Sequence, residues 1–308
     1  MKYYFDKIRG FGFVGVMFTN YSIKFIIMKT KRQIWIIILF FTIAVLIPES
    51  HLNAQSQRKL AKIFIHKIIK EHPDITIVKP DFIYKYNYNF NSDEMPLASE
   101  SQRNAASLKH SKFLKKINDS TFLSHFISGY KMELEKYGFS PSVVSQNPKN
   151  TLSGYVADIA QVELDEQYYP YSDSAIYNNN LYVFQKKLNA LDVNMWFKIY
   201  KAKQIVTKVP VLFTENLLID DFFDGHFVLS SNEDRLNYFY KRVPLTVKKI
   251  YKDVENLGRI YAEYTVDYLL NSFIRKNIPK DINIKEWHYN PYSRLIYSGK
   301  EQGFEIVH

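Results

Sequence analysis

Between residues 191 and 199 apolar and polar positions alternate without a break: Leu191, Val193, Met195, Phe197 and Ile199 against Asp192, Asn194, Trp196 and Lys198. A period of two over that length belongs to a strand with one buried face. The alternation resumes at Ile205, Thr207, Val209, Val211 and Phe213, so a second strand is predicted, antiparallel to the first and joined to it around residues 201–204. Shorter strands are expected at 226–229 and 236–240, separated by the turn-prone SSNED, and a last one at 294–298. Residues 155–171, YVADIAQVELDEQYYPY, fit a helix or a strand by spacing, and the preceding Gly154 with the aromatic run favours a strand. Residues 74–84, DITIVKPDFIY, form another, with Pro80 marking an edge or a bend.

Three segments change to a helical period. Residues 57–71 place Leu60, Ile63, Phe64, Lys67 and Ile68 along one side among lysines and stop at Pro73. Such a basic amphipathic helix is either the first helix of a domain or an element lying on an anionic membrane surface. Residues 120–138 carry Phe122, Phe126, Tyr130, Leu134 and Tyr137, with Asp119 or Ser120 as the cap and Gly138 as the stop. The longest pattern, 246–276, opens at Thr246 and runs through Val247, Ile250, Val254, Leu257, Tyr261, Thr265 and Tyr268. About 30 residues at 1.5 Å each make a helix of roughly 45 Å, long enough to cross a whole sheet. Residues 84–112 and 140–154 show no apolar period and read as loops, the first unusually long.

These elements predict a two-layer α+β sandwich in one exported domain, 55–308. Helices 120–138 and 246–276 pack on one face of an antiparallel sheet centred on 191–213.

The N-terminal part obeys another logic. From Met28 the chain reads MKTKRQ, then fourteen apolar residues at 34–47, then a short polar stretch ending at Ala54. A basic start, an apolar centre and a polar end are the plan of a secretory signal peptide, 28–54, cut before Gln55. The apolar run falls short of the ~20 residues of a spanning helix. The alternative is an inner-membrane anchor formed by 34–47, since Leu52 is not the small residue usual near a cleavage site. Residues 1–27 are a further apolar leader, upstream of a true start at Met28 or a second membrane-proximal segment. Export to the periplasm or the outer-membrane periphery is the expectation.

Composition then narrows the function. Apolar residues at 46%, charged residues at 23% and a mean hydropathy of −0.26 fit a soluble body. The formal charge of +10 shrinks once the leader is set aside: residues 56–308 hold 34 basic and 29 acidic side chains. So small a surplus does not point to nucleic acid, and YKYNYNF at 84–90 is not read as a base-stacking surface. The 24 Tyr and 23 Phe share A/T-rich codons with the abundant Lys, Ile and Asn, and imply no binding role. Absence of cysteine excludes disulfides, thiolate catalysis, Cys-based zinc sites and anchoring through an acylated cysteine.

Candidate chemistry is sparse. Asp220, Asp221, Asp224 and His226, in DDFFDGHF, are metal-ligand candidates because hard oxygen donors lie close together there. A hairpin turn closed by Gly225 accounts for the same residues without a metal. Glu163, Asp165 and Glu166 offer an acid/base pair or, more simply, a strand end entering solvent. No HExxH, GxSxG, phosphate loop or GxGxxG occurs, and no catalytic residue or cofactor is assigned.

The order strand, helix, antiparallel strands, long helix, carried by FLSHFISGYKMELEKYGF, YVADIAQVELDE, LDVNMWFKIYKAK and the helix from Thr246, resembles the plan of the ABC-type transport auxiliary and lipopolysaccharide-assembly lipoproteins. The resemblance implies a non-catalytic envelope assembly part; the departure is the missing lipid-bearing Cys. The expected function is therefore a non-catalytic envelope binding or assembly protein, meeting an envelope protein, a lipid or a glycan, with membrane association open through the N-terminal segment. The alternative is an exported metal-dependent hydrolase using 220–226.

Overall fold

The computed structural model describes residues 49–91, 99–145, 153–202, 209–231, 235–279, 282–300 and 303–307. Residues 1–27, most of the expected signal peptide with its 34–47 run, Ile205, Thr207 and most of the SSNED turn lie outside them. The chain divides into two units, Met1–Leu52 and Asn53–His308, and the second contains every described strand.

The predicted α+β class is what the chain adopts. One core is walled on one side by three helices, α1 (Glu49–Glu71), α3 (Asp119–Lys136) and α4 (Val247–Lys276), and on the other by the main sheet. That sheet holds β1 (Asp74–Lys79), β2 (Tyr84–Asn87), β3 (Ser140–Ser145), β4 (Tyr155–Tyr177), β5 (Asn180–Lys201), β6 (Val211–Ile219) and β11 (Glu305–Val307), in the order β11-β6-β5-β4-β1-β3, with β2 beside β4. Leu191, Val193, Met195, Phe197 and Ile199 all face the core, as their alternation requires. Each such side chain removed from water contributes about 1.5–3 kcal/mol.

The sheet is mixed, which corrects the antiparallel expectation. β4, β5, β6 and β11 pair antiparallel, but β1 runs parallel to both β3 and β4, and β2 runs parallel to β4. β1 and β3 are joined through α3, and a crossover of that kind returns the chain in the same direction. β1 is thus a central strand, and Pro80 stands just past its end rather than on an edge. Two more corrections concern the expected loops. Residues 84–112 contain β2 and a helix, α2 (Glu100–His110), opened by a capping box between Ser99 and Gln102; residues 140–154 contain β3.

α3 and α4 lie side by side in the same direction, since Asn118 N–H donates to Tyr251 at one end and Tyr130 pairs with Thr265 further along. The cap of α3 is Asn118, one residue before the expected position, and Thr246 caps α4 as predicted. α1 buries Ala61, Phe64, Ile65 and Ile68, while Ile63 points to solvent. The C-terminal hairpin of β9 (Trp287–Asn290) and β10 (Leu295–Ser298) closes one side of the core through Trp287 and Tyr289.

Candidate functional site

β4 and β5 are far longer than the sheet they cross. They pair from Tyr155–Lys201 to Tyr177–Asn180, yet β2 stops opposite Glu166 and β6 stops opposite Ala190. Beyond that point the ribbon runs on with no other described strand paired to it, for about ten residues per strand, or roughly 30 Å. Its tip is the Asn178–Asn179 turn, both residues in the left-handed region with φ 48° and 58°. That is the type I′ geometry whose twist matches a two-residue hairpin.

A second ribbon lies on the first. β7 (Asp221–Leu229) and β8 (Leu236–Val243) form a separate two-stranded sheet. Aromatic rings hold the two together: Phe184 stacks on Tyr238 at 4.0 Å, Tyr171 meets Phe222 at 4.2 Å, and Phe184 meets Tyr240 at 5.3 Å. Tyr238 hydroxyl donates to Asp173 at 3.0 Å and shares a hydrogen bond with Tyr171 at 2.9 Å. Desolvation, then those two neighbours, hold the Tyr238 phenol well above its ordinary range, so it stays a neutral donor. Gly225 makes the close approach feasible: a Cβ there would sit 2.2 Å from the Tyr238 hydroxyl.

The resulting arm carries apolar side chains outward on both faces. Ile176, Leu181 and Val183 are 77%, 66% and 52% exposed on the long ribbon. Phe223, Val228, Phe239 and Val243 are exposed on the short one. Single exposed apolar residues are ordinary; here several share one element.

The four metal-ligand candidates sit at the base and flank of this arm and point apart. Asp220, just before β7, is buried: Oδ1 accepts from Leu245 N–H at 2.6 Å, and Oδ2 accepts from Asn189 N–H at 2.8 Å, Asn189 Nδ2 at 2.7 Å and Arg242. Burial raises its pKa, but the hydrogen bonds from Leu245, Asn189 and Arg242 outweigh it and leave the carboxyl below its usual value. Asp221 pairs with Lys249 at 3.1 Å, Asp224 with Lys241 at 2.8 Å, and the His226 ring bonds the Asp224 carbonyl oxygen at 2.8 Å. Among the described residues no group of three or more His, Asp or Glu side chains is placed to hold a metal ion. The expected hairpin turn at Gly225 is instead a bulge inside β7, between Phe223 and His226, with Asp224 at φ 58°.

Glu163, Asp165 and Glu166 are likewise not a strand end. They lie in the middle of β4, and alternation sends Glu166 to the core side. There its carboxylate accepts from the N–H groups of Lys112, Phe113 and Leu114 at 2.6, 2.8 and 3.1 Å, anchoring the turn that follows α2. Asp165 stays on the helix-free face, where it receives a hydrogen bond from Asn194 at 2.8 Å. Desolvation first, then Glu163 and Asp192, push its pKa up to about 6, against the pull of Asn194. A folded-state value above the unfolded one means that stability declines as pH rises from about 4 through 6. Asp165→Asn is therefore expected to stabilise at pH 8 by about 1 kcal/mol after allowing for solvent screening, raising Tm by about 2–4 °C. The gain should vanish below pH 4, where the parent carboxyl is also protonated; thermal melts at pH 8 and pH 4 decide it.

The sequence does not single out the arm as one element. Its signal is the run of alternation on both sides of Asn178–Asn180, an Asn-rich break between YSDSAIY and LYVF. Compared with protein-family models and with curated proteins, the chain matches none.

Proposed function

We propose that this chain is a non-catalytic binding or assembly protein of the cell envelope, exported through its 28–54 segment, and that the two-ribbon arm is what it presents to its partner. The carrying observation is the arm itself: an aromatic core too thin to be a domain, bearing exposed apolar residues on both faces. The cost of keeping such surface in water is explained by a partner that covers it. The buried acids nearby support the same reading, because Asp220 and Glu166 fix backbone geometry instead of facing a cleft. Among the described residues no helix is long and apolar enough to cross a membrane. The partner is an envelope protein, lipid or glycan.

The test is cross-linking in producing cells. A photoreactive amino acid at Leu181 or Phe239 is expected to give a discrete adduct with an envelope component, while the same group at exposed Lys252 on α4 gives none. Equal yields from all three positions, or none from the arm, would remove the arm from the function. Fractionation with mass spectrometry of the N-terminus tests export separately: a periplasmic species beginning at Gln55 is expected, and an intact N-terminus in the inner membrane would replace cleavage by anchoring.

A further inference from the structure

A different part of the molecule holds a cleft. It has a volume of about 500 Å3 and opens between α1, the last turns of α4 and the end of β5. Its walls are apolar and aromatic: Phe64 and Ile68 from α1, Ile199 from β5, Leu269 and Phe273 from α4. Phe64 and Phe273 meet at 5.4 Å, so the two helices share one wall. Tyr155 and Tyr268 add to the lining, and desolvation raises the pKa of each phenol.

The ionised groups that line the cleft among the described residues have one sign. Among the described residues Lys67, Lys201 and Lys276 stand around it and no carboxylate lines it. Glu71 reaches Lys67 only at 3.9 Å, across a pair that is more than half exposed, and such a contact is worth little. Neither Lys201 nor Lys276 makes an ion pair among the described residues. The three lysines come to the cleft from three different elements, and an anion held there would be attracted by all of them. Binding clefts of 300–1,000 Å3 typically combine apolar walls with a few charged groups that fix one end of the ligand.

We infer that this cleft binds a single-chain anionic amphiphile, a fatty carboxylate, with its hydrocarbon tail against Phe64, Ile199 and Phe273 and its carboxylate among Lys67, Lys201 and Lys276. The size favours one chain over the two of a diacyl lipid. The one-signed rim favours a carboxylate over a neutral or cationic head. Ser272, partly exposed in the cleft wall, marks where the tail would pass. This site is independent of the arm and stands whether or not the arm meets a partner.

Isothermal titration of the full chain with decanoate, against decylammonium of equal length, tests it. One decanoate per chain is expected, bound about tenfold or more tightly than decylammonium. Lys201→Glu with Lys276→Glu, both exposed, should weaken decanoate about tenfold or more with Tm unchanged, and Ser272→Trp should abolish it by filling the cleft. No decanoate binding, equal affinity for the two heads, or affinity untouched by the lysine pair and by Ser272→Trp would each overturn the assignment.

Discussion

Asp220→Ala is expected to cost about 3–5 kcal/mol, because it leaves a half-buried guanidinium and three N–H groups without their acceptor. Against a total of about 5–15 kcal/mol for a folded protein, that is a large part of the stability, and Tm should fall by about 10 °C or more. The carboxylate joins three elements. Asn189 belongs to β5, Arg242 to β8, and Leu245 leads into α4, so the base of the arm and the start of the long helix lose their common point together. Arg242→Met in the Asp220→Ala background should recover part of the loss, since the unpaired guanidinium is then removed. The pH dependence has a fixed sign. The folded pKa lies below the unfolded one, so this contribution is fully present above pH 4 and is lost as pH falls through the depressed value. Asp220→Asn should therefore make the acid limb of a stability curve shallower. A Tm for Asp220→Ala within 2 °C of the parent would mean that these hydrogen bonds do not hold the arm.

How legible each element is in the chain depends on where its signal is stored. The core face of β5 and the stripes of α3 and α4 are local: a buried face writes its period into consecutive residues, as Leu191 to Ile199 and Val247 to Tyr268 do. The parallel pairing of β1 with β3 and β4 is not local, because it depends on Asp74 meeting Ser140 and Ile75 meeting Tyr155 across intervening helix and loop. β3 reads as loop because SPSVVS carries serines and a proline, which an edge strand accommodates on its unpaired side. α2 buries no residue, so it has no apolar stripe to show; its only mark is the Ser99–Gln102 capping box. The acids mislead for a related reason. Alternation alone puts Glu166 and Asp165 on opposite faces, but only the fold reveals that backbone N–H groups wait for Glu166 on the buried one. The lysines around the cleft lie at positions 67, 201 and 276, on three elements, and no spacing rule links them.

Gly258→Ala sets local propensity directly against packing. In the middle of a helix, alanine is better than glycine by about 1 kcal/mol, so propensity alone predicts that α4 gains. The contact with α3 predicts the reverse. A Cβ on Gly258 would stand 2.1 Å from the Phe126 carbonyl oxygen and 2.8 Å from the Tyr130 nitrogen, backbone atoms that cannot rotate away. Ordinary contact needs about 3.5 Å, so the helices must part. Parting them pulls Phe126 from Tyr261 and strains the buried hydrogen bond between Tyr130 and Thr265. Overpacking costs about 1–3 kcal/mol, and a buried hydroxyl deprived of its partner about as much again. The net expectation is a loss of about 2–4 kcal/mol and a Tm lower by about 4–16 °C. Gly129, whose added Cβ would meet the Glu255 carbonyl oxygen at 1.9 Å, should behave alike, and Gly303, with nothing within 4 Å, should tolerate alanine with little change. Thermal melts of the three variants decide between the two accounts: a Gly258→Ala protein that melts higher than the parent would show that α3 and α4 do not cross at these glycines.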